Sequence, residues 1–426
     1  MTPAQVVVVA ITVALTALDG FDVLAISFAA PGIAREWGID RAALGVVLSM
    51  ELVGMGIGSV LIGGVADRIG RRHTMLGCAI IMAAGMAMAG AAHDLGELRL
   101  WRVVTGLGIG GILAASNAVA AEFSNLRRRD LSVSLMAIGY PLGAIGGGAV
   151  TVLLLKHGEW RAVFQFGAVI TALAVPVVLF WVPESIAWLC QRQPARALER
   201  VNRGLARLGY GPVAALPALP ERTTRKRVLV GIFRPELAST TVLVSLTYFL
   251  HITTFYFILK WVPKIVVDMG FSPSSAAGVL VWANVGGATG GAVLGMLAQR
   301  YAVKHLTMAL LIGSTAMVAV FGHGQTDLER LSLICAVAGF CTNGAVVGIY
   351  AVLARAFPTD VRATGTGFAI GIGRGGAMLA PAIAGLLFQA GFGLQSVALL
   401  MGAGSLASAA CLSQVRFRTP QPAADA

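Results

Sequence analysis

The sequence predicts an all-α integral membrane protein with twelve transmembrane helices in two pseudo-symmetric six-helix bundles. Three observations lead to this fold class. Of the 426 residues, 57% are hydrophobic and only 12% are charged, whereas a soluble domain carries about 25% charged residues. Twelve apolar runs are long enough to cross a bilayer. Short motifs also recur at a distance of 232 residues, as expected for a membrane protein built from two related halves.

The apolar runs define the elements in chain order, because a helix needs about 20 mostly apolar residues to cross the hydrocarbon core. They lie at roughly 6–30, 43–65, 74–92, 98–121, 131–155, 162–182, 238–262, 275–298, 306–324, 330–354, 364–388 and 392–413. A polar segment divides them six and six. We therefore expect an N-terminal bundle over 1–182, a central cytoplasmic loop over 183–237, a C-terminal bundle over 238–413 and a cytoplasmic tail over 414–426.

Lysine and arginine predict the orientation. With the N-terminus inside, 22 of the 32 basic residues fall in inside segments and 8 in outside segments, among them Lys260 and Lys264. Cytoplasmic loops are enriched in these residues, so both termini are predicted to be cytoplasmic. The same loops explain the net charge of +12, and no basic helix interleaved with aromatic residues indicates nucleic-acid binding. The five cysteines lie mostly in apolar runs and indicate neither disulfides nor a metal site.

The most specific motif is the short turn after the second run, where the segment 63–68 has a counterpart at 295–300. Its members are Gly63, Asp67, Arg68, Gly70, Arg71 and Arg72. Glycine lets two helix ends approach, and the aspartate can pair with an arginine or a neighbouring helix end, which would latch one conformation. The alternative is a merely basic turn that sets topology.

Two aspartates, Asp19 and Asp22, lie inside the first run. A carboxylate at the bilayer centre costs about 2.5–3.5 kcal/mol on insertion scales, so two within one turn need a reason. They share a helix face, Gly20 lets another helix or a substrate come close, and the pair would titrate as a coupled unit. We interpret them as a proton carrier. Alternatively, each caps a broken helix or pairs permanently with an arginine.

Arg374 lies about ten residues into the eleventh run, too deep to reach the interface easily. Arginine stays charged and can bind a carboxylate with two nitrogens. We interpret Arg374 as the anchor of a substrate anion, with Gly373, Gly375 and Gly376 clearing space for it. The alternative is a tie between helices, to a backbone carbonyl or a glutamate.

Other polar and aromatic residues in the runs are further candidates. Glu51 is either a second proton site or the buried partner of a cation. The repeat places His251 opposite Asp19, where it either faces the cavity or is a hydrogen-bonded packing histidine. An aromatic-binding cavity could be lined by Tyr140, Tyr248, Phe255, Trp282, Asn284 and Asn343, although packing explains each of them singly.

The turn at 63–72 resembles the signature of the major facilitator superfamily. The segment Asp19-Gly20-Phe21-Asp22, followed by the stretch at 29–34, resembles the aromatic acid:proton symporter family within it. Further similar stretches lie at 102–111, 122–128, 139–143, 183–185 and 357–374, so the resemblance covers nearly the whole chain.

The resemblance implies roles for four more residues. It places Arg102 near the aspartates of the first helix, where it would hold Asp19 or Asp22 ionised until a proton arrives. The alternative is an arginine that reaches the outer interface. Glu122, Arg128 and Arg362 lie in turns that, in the family, act with the latch.

The chain departs from the family pattern at three places. The turn at 122–125 lacks a proline, Lys260 stands where a small polar residue is usual, and Glu51 stands in a span that is normally apolar. These departures leave the transporter class intact and the substrate open.

The residues and the resemblance together predict a proton-coupled secondary transporter that imports a small, aromatic carboxylate across the bacterial inner membrane. Protons are the coupling ion, no other cofactor is expected, and the protein is expected to be a monomer among membrane lipids. The alternatives are transport of another organic anion, export of aromatic compounds, and a non-transporting membrane sensor. An enzyme is not indicated, because the sequence shows neither a nucleophile–base pair nor a metal cluster. Dinucleotide binding is not indicated either, because the glycine run at 106–111 lies in a membrane helix and not in a strand-to-helix turn.

Overall fold

The computed structural model of the chain describes residues 1–125, 127–217, 232–358 and 361–415. Part of the central loop, at 218–231, and most of the tail, at 416–426, lie outside the described residues, as does the side chain of Asp67. All regular secondary structure within the described ranges is helical. This confirms the predicted all-α class.

The helices of the described ranges follow in chain order. They are α1 (Pro3–Trp37), α2 (Arg41–Ile69), α3 (Arg71–Gly90), α4 (Leu95–Glu122), α5 (Arg129–His157), α6 (Arg161–Trp181), α7 (Ile186–Arg192), α8 (Ala197–Arg207), α9 (Pro235–Asp268), α10 (Pro273–Leu297), α11 (Val303–Gly322), α12 (Leu328–Ala356), α13 (Arg362–Gln389) and α14 (Leu394–Gln414). All except the short α7 and α8 are long and apolar enough to cross a bilayer. The twelve predicted spans are thus confirmed.

Polar capping residues set where several helices begin. Thr2 forms a capping box with Gln5 at the start of α1. Asp40 accepts the backbone N–H of Ala43 at 2.6 Å, and Asp94 accepts that of Glu97 at 2.9 Å. Such caps satisfy N–H groups that lack a partner within the helix. The observed helices therefore extend beyond the apolar runs from which they were predicted.

The length of α9 corrects one prediction. The apolar run ends at about residue 262, but the helix continues to Asp268. Lys264 therefore lies inside the helix, as does Lys260, which falls within the apolar run itself, so the placement of both in an outside loop is wrong. Lys260 is fully buried. Lys264 forms an ion pair with Asp268 one turn later.

One compact unit comprises Met1–Arg222 and Leu259–Val281. Within it α2 packs on α4, α1 on α5, and α3 on both α4 and α6. Glycines bring the backbones together, because a Cβ atom at Gly106 would collide with the main-chain oxygen of Glu51, and one at Gly20 with that of Tyr140. Small residues are the usual means of close helix approach in membranes. Here they bring α2 close to α4, and α1 close to α5.

The second unit comprises Thr223–Ile258 and Trp282–Ala426. Within it α11 packs on α12 and α14, and α10 meets α12 where Gly286 faces the main chain of Ala336 and Gly339 that of Ala283. The units divide within α9 and α10 because the segment Leu259–Val281 packs with the first unit. The boundaries predicted at 182 and 238 follow the apolar repeats and stay a prediction.

Candidate functional site

Five ionisable side chains lie together in the first unit and form what we call the buried ion cluster. Its members are Asp19 and Asp22 of α1, Glu51 of α2, Arg102 of α4 and Lys260 of α9. Each is at most 1% exposed. Ionisable groups inside transmembrane segments are costly and typically mark transport pathways or proton relays. The cluster is therefore the first candidate for function.

Glu51 binds both cations of the cluster. One carboxylate oxygen forms an ion pair with the guanidinium of Arg102, and the other lies 3.2 Å from the Lys260 amine. The amine also donates a hydrogen bond to the main-chain oxygen of Val23. Removing one partner of a buried pair typically costs about 3–5 kcal/mol. Of the two alternatives for Glu51, the structure thus supports the buried partner of a cation.

Arg102 contacts α1 through the backbone. It donates to the main-chain oxygen of Asp22 at 3.0 Å, lies 3.1 Å from the sulfur of Met86, and stands 5.4 Å from the ring centre of Phe164. Its guanidinium also forms an ion pair with Glu51, and the expected role of Arg102 in holding Asp19 or Asp22 ionised stays a prediction. Full burial also excludes an arginine that reaches the interface.

The carboxyl group of Asp22 is buried, and neither oxygen has a hydrogen-bond partner among the described residues. Its charged neighbours are Arg102, Glu51 and Asp19, and the hydroxyl group of Thr171 in α6 also faces it. A buried carboxylate that lacks a partner is costly. The chemistry available to Asp22 is therefore gain and loss of a proton beside a permanent cation.

The charge of the cluster also bears on its chemistry. Three acidic and two basic groups carry a net charge of −1 when all are ionised. One proton makes the cluster neutral. Because burying net charge is expensive, the cluster is suited to exchange a single proton.

The second unit holds the predicted anion anchor. Arg374 of α13 interacts electrostatically with the phenol groups of Tyr248 in α9 and Tyr350 in α12. The two hydroxyl groups are 2.9 Å apart, and the ring centres are 5.6 Å apart. A cation beside two aromatic rings can bind a carboxylate on an aromatic acid.

The glycines around Arg374 do not leave open space. Gly373 lies against the ring of Tyr248, and Gly376 lies against the main-chain oxygen of Phe249 and the side chain of Ile252. These two glycines accommodate α9, so the expectation that they clear room for a ligand is wrong in this conformation. Gly375 meets only an ordinary contact with the ring of Phe249, and for it the expectation stays a prediction.

His251 is fully buried and hydrogen-bonded at both ring nitrogens. Nδ1 lies 2.8 Å from the hydroxyl oxygen of Ser405, and Nε2 lies 2.9 Å from the main-chain oxygen of Thr342. A carbonyl only accepts, so Nε2 carries the proton and Nδ1 accepts from the serine. The structure favours the packing role for His251.

The other residues proposed to line a cavity lie in different settings. Trp282 is 54% exposed, whereas Asn284 is buried. Asn343 packs against Gly287 between α10 and α12, and the main chain of Tyr140 packs against Gly20. Phe255 stacks edge-on against Tyr256. These contacts are those of helix packing.

The turn between α2 and α3 is organised by Glu184, which follows α6. Its carboxylate accepts the backbone N–H groups of Arg71 at 2.7 Å and Arg72 at 3.2 Å, and it lies 3.0 Å from the ring of His73. A carboxylate at a helix N-terminus is stabilised by free N–H groups and the helix dipole. Gly70 makes the turn at φ +104°, and a Cβ there would collide with Glu184.

The remaining latch residues are placed as follows. Glu122 accepts a hydrogen bond from Ser185 and lies 3.7 Å from Arg71. Arg362 donates to the main-chain oxygen of Phe357 at 3.3 Å. The side chains of Arg68 and Arg128 are exposed. Among the described residues no atom lies within 4 Å of the Cβ position of Gly63, so the close approach expected there is not seen in that part of the chain. The side chain of Asp67 lies outside the described residues.

Sequence reasoning assigned no role to two residues that organise these sites. Lys260 was placed in a loop, although the apolar residues that continue to Val267 signalled a longer helix. Glu184 was noted only as part of a family stretch. Its signal was an isolated acidic residue at the end of the sixth span, beside a basic turn.

Comparison with known proteins identifies the family of the chain. The sequence profile of the Major Facilitator Superfamily matches residues 12–327 and 244–426. The 4-hydroxybenzoate transporter of Pseudomonas putida is 31% identical over 89% of this chain and 85% of its own length. The gallate transporter of the same organism is 31% identical over 92% and 87%. The 3-(3-hydroxy-phenyl)propionate transporter of Escherichia coli strain K12 is 30% identical over 96% and 94%.

Solved structures share the fold at lower identity. A bacterial homologue of the human lysosomal transporter Spinster, in an inward-facing and occupied conformation, superposes with a TM-score of 0.76 at 16% identity and covers 99% of this chain and 100% of its own. The xylose transporter of Escherichia coli, in an inward-open conformation, gives a TM-score of 0.73 at 17% identity over 98% and 97%.

Proposed function

Because this chain belongs to the Major Facilitator Superfamily, we propose that it is a proton-coupled secondary transporter that imports a small aromatic carboxylate. The observation that carries the proposal is the buried ion cluster, whose net charge of −1 one proton cancels. The substrate class is supported by relatives named as transporters of 4-hydroxybenzoate, gallate and 3-(3-hydroxy-phenyl)propionate.

Asp22 is proposed to carry the proton, with Asp19 as its coupled neighbour. In support, the Asp22 oxygens are buried without a hydrogen-bond partner among the described residues, and Arg102 lies close by. Protonation cancels the excess charge of the cluster and removes the cost of a buried anion. That change would let the helices around α1 repack during alternating access.

Arg374 is proposed to hold the substrate carboxylate. The support is its charge, its depth in α13 and its closeness to Tyr248 and Tyr350. A guanidinium offers two parallel N–H groups to a carboxylate, and the phenol rings offer faces or edges to an aromatic ring. The guanidinium suits any carboxylate, and the phenol rings suit a benzoate better than an aliphatic acid.

The protein is proposed to reside in a bacterial plasma membrane with both termini in the cytoplasm. The relatives are bacterial, and the Lys and Arg distribution favours this orientation.

Uptake into proteoliposomes tests the proposal. The radiolabelled panel comprises 4-hydroxybenzoate, gallate, 3-(3-hydroxyphenyl)propionate and succinate, with an inward proton gradient and with or without a protonophore. We expect accumulation of at least one aromatic acid, abolished by the protonophore, and none of succinate. Equal uptake with and without the protonophore would reject coupling. Substrate uptake that occurs only with an outward proton gradient would indicate that the protein works as an exporter.

A further inference from the structure

The buried ion cluster contains one pair that the proposed proton step does not use. Glu51 and Lys260 are both fully buried and lie 3.2 Å apart. Two buried side chains of opposite charge that contact each other behave as a single unit.

The pair adds no net charge to the cluster, so it acts by changing which groups of the cluster contact each other. Without it, Asp19, Asp22 and Arg102 would still carry a net charge of −1. With it, the guanidinium of Arg102 pairs with Glu51, while Asp22 offers Arg102 only its main-chain oxygen. The carboxyl oxygens of Asp22 have no hydrogen-bond partner among the described residues.

From this competition we infer that Glu51 and Lys260 form a positioning pair that withholds Arg102 from the carboxyl group of Asp22 and so sets the pH at which Asp22 exchanges its proton. The inference rests on the proposed function, in which Asp22 carries the proton. Lys260 holds Glu51 in place through the second carboxylate oxygen. Glu51 in turn holds Arg102 on the α2 side of the cluster.

The groups that face Asp22 limit the alternatives. Asp19 lies on the same helix, and Glu51, Arg102 and Lys260 come from α2, α4 and α9. The remaining contact from α6 is the uncharged hydroxyl group of Thr171. Arg102 is therefore the cation that Glu51 and Asp22 can share, since Lys260 is already bound to Glu51 and to the main chain of Val23.

The test is an infrared titration of the full-length protein in lipid, without substrate. The C=O band of the protonated Asp22 is identified by its loss in Asp22→Asn. The key variant is Glu51→Gln/Lys260→Gln, which removes one charge of each sign. Coulomb effects of the two charges then largely cancel, whereas release of Arg102 does not. We expect the band to disappear at a pH lower by about one unit or more, the effect typical of a new arginine partner.

A single variant and a control distinguish a change in the pairing of Arg102 from a general effect of removing charges. Lys260→Gln should move the band in the opposite direction, because Arg102 then becomes the sole partner of Glu51. Glu199→Gln/Arg203→Gln removes an exposed ion pair of 2.9 Å within α8 and should leave the band unchanged. If the amide pair fails to fold, Glu51→Leu/Lys260→Met replaces it, since apolar groups of similar volume often substitute for buried ion pairs.

The outcomes are distinguishable. A band that titrates identically in the wild type and in the double variant would overturn the positioning role and leave Asp22 as the proton carrier. A wild-type protein with no titrating Asp22 band would overturn both the proton assignment and the positioning role. A lower titration pH in the double variant, together with unchanged control titration, would establish the pair as the determinant of proton exchange.

Discussion

Replacing Asp22 by asparagine is expected to uncouple transport from protons. The amide keeps the size of the side chain but cannot release a proton, so the cluster stays in one charge state. We expect Asp22→Asn to lose accumulation driven by a proton gradient while it retains exchange of labelled for unlabelled substrate, because exchange needs no net proton movement. Both are measured in proteoliposomes at matched protein content.

The matched control for Asp22 is Glu159→Gln, which neutralises an exposed carboxylate. This variant should accumulate substrate as the wild type does. Protonophore-sensitive accumulation by Asp22→Asn would assign the proton to Asp19 or to another group.

Arg374 is expected to determine affinity. Losing one member of a desolvated charge pair typically costs about 2–5 kcal/mol, so Arg374→Ala should weaken binding of the aromatic acid by roughly 30- to 4,000-fold. Arg374→Lys should recover part of the loss, because lysine keeps the charge but lacks the two-pronged geometry. The measurement is the dissociation constant on purified, monodisperse protein.

The control for Arg374 is Arg330→Ala, at an exposed arginine paired with Asp327. It should bind normally. A well-folded Arg374→Ala protein of unchanged affinity would show that the arginine ties helices together and does not anchor the anion.

At the scale of elements, the turn between α2 and α3 depends on Glu184. Glu184→Ala leaves the N–H groups of Arg71 and Arg72 without their acceptor, which typically costs about 1–3 kcal/mol. We expect a lower melting temperature and slower exchange, with the dissociation constant for substrate unchanged. Glu184→Gln, which keeps one acceptor oxygen, should be affected less.

Two results would contradict the assignment of this turn. Loss of substrate affinity in Glu184→Ala would connect the turn to the binding site. Equal effects of the alanine and glutamine variants would mean that the carboxylate charge, and not its hydrogen bonding, holds the helix end.

The helices were predictable from the sequence where the length of an apolar run determines them. They were not predictable where a single side-chain contact does. Twelve spans follow from hydrophobic thickness, and every one is present as a helix. The predicted end of α9 falls short of Asp268 because Lys264 interrupts the apolar run. Only the position of Glu51 on another helix reveals that Lys260 has a buried acidic partner. Glu184 was missed for the same reason, since its partners lie more than a hundred residues away in sequence.

At the scale of the whole molecule, family and fold were predictable because motifs are distributed over nearly the entire chain. The roles of Asp19, Asp22 and Glu51 as a proton-handling group were proposed from the cost of carboxylates in hydrocarbon. The ion-pair partner of Arg102 was not predicted, because the choice between Asp22 and Glu51 depends on side-chain positions. Sequence spacing alone does not determine these positions. The net charge of the buried ion cluster can be counted only because the structure shows that Lys260 belongs to it.

That charge predicts the stoichiometry of transport. One proton neutralises the buried ion cluster, and one proton with one monocarboxylate carries no net charge across the membrane. We therefore expect electroneutral uptake that responds to a pH gradient but not to membrane potential. In proteoliposomes with valinomycin and equal potassium on both sides, one pH unit should support about tenfold accumulation of the transported hydroxybenzoate. A potassium diffusion potential, negative inside, with equal pH should support none.

Accumulation driven by potential alone would mean that more than one proton enters with each carboxylate, with Asp19 and Asp22 both taking part. Asp22→Asn, measured alongside, should respond to neither gradient, which separates the cluster's contribution from passive entry of the protonated acid.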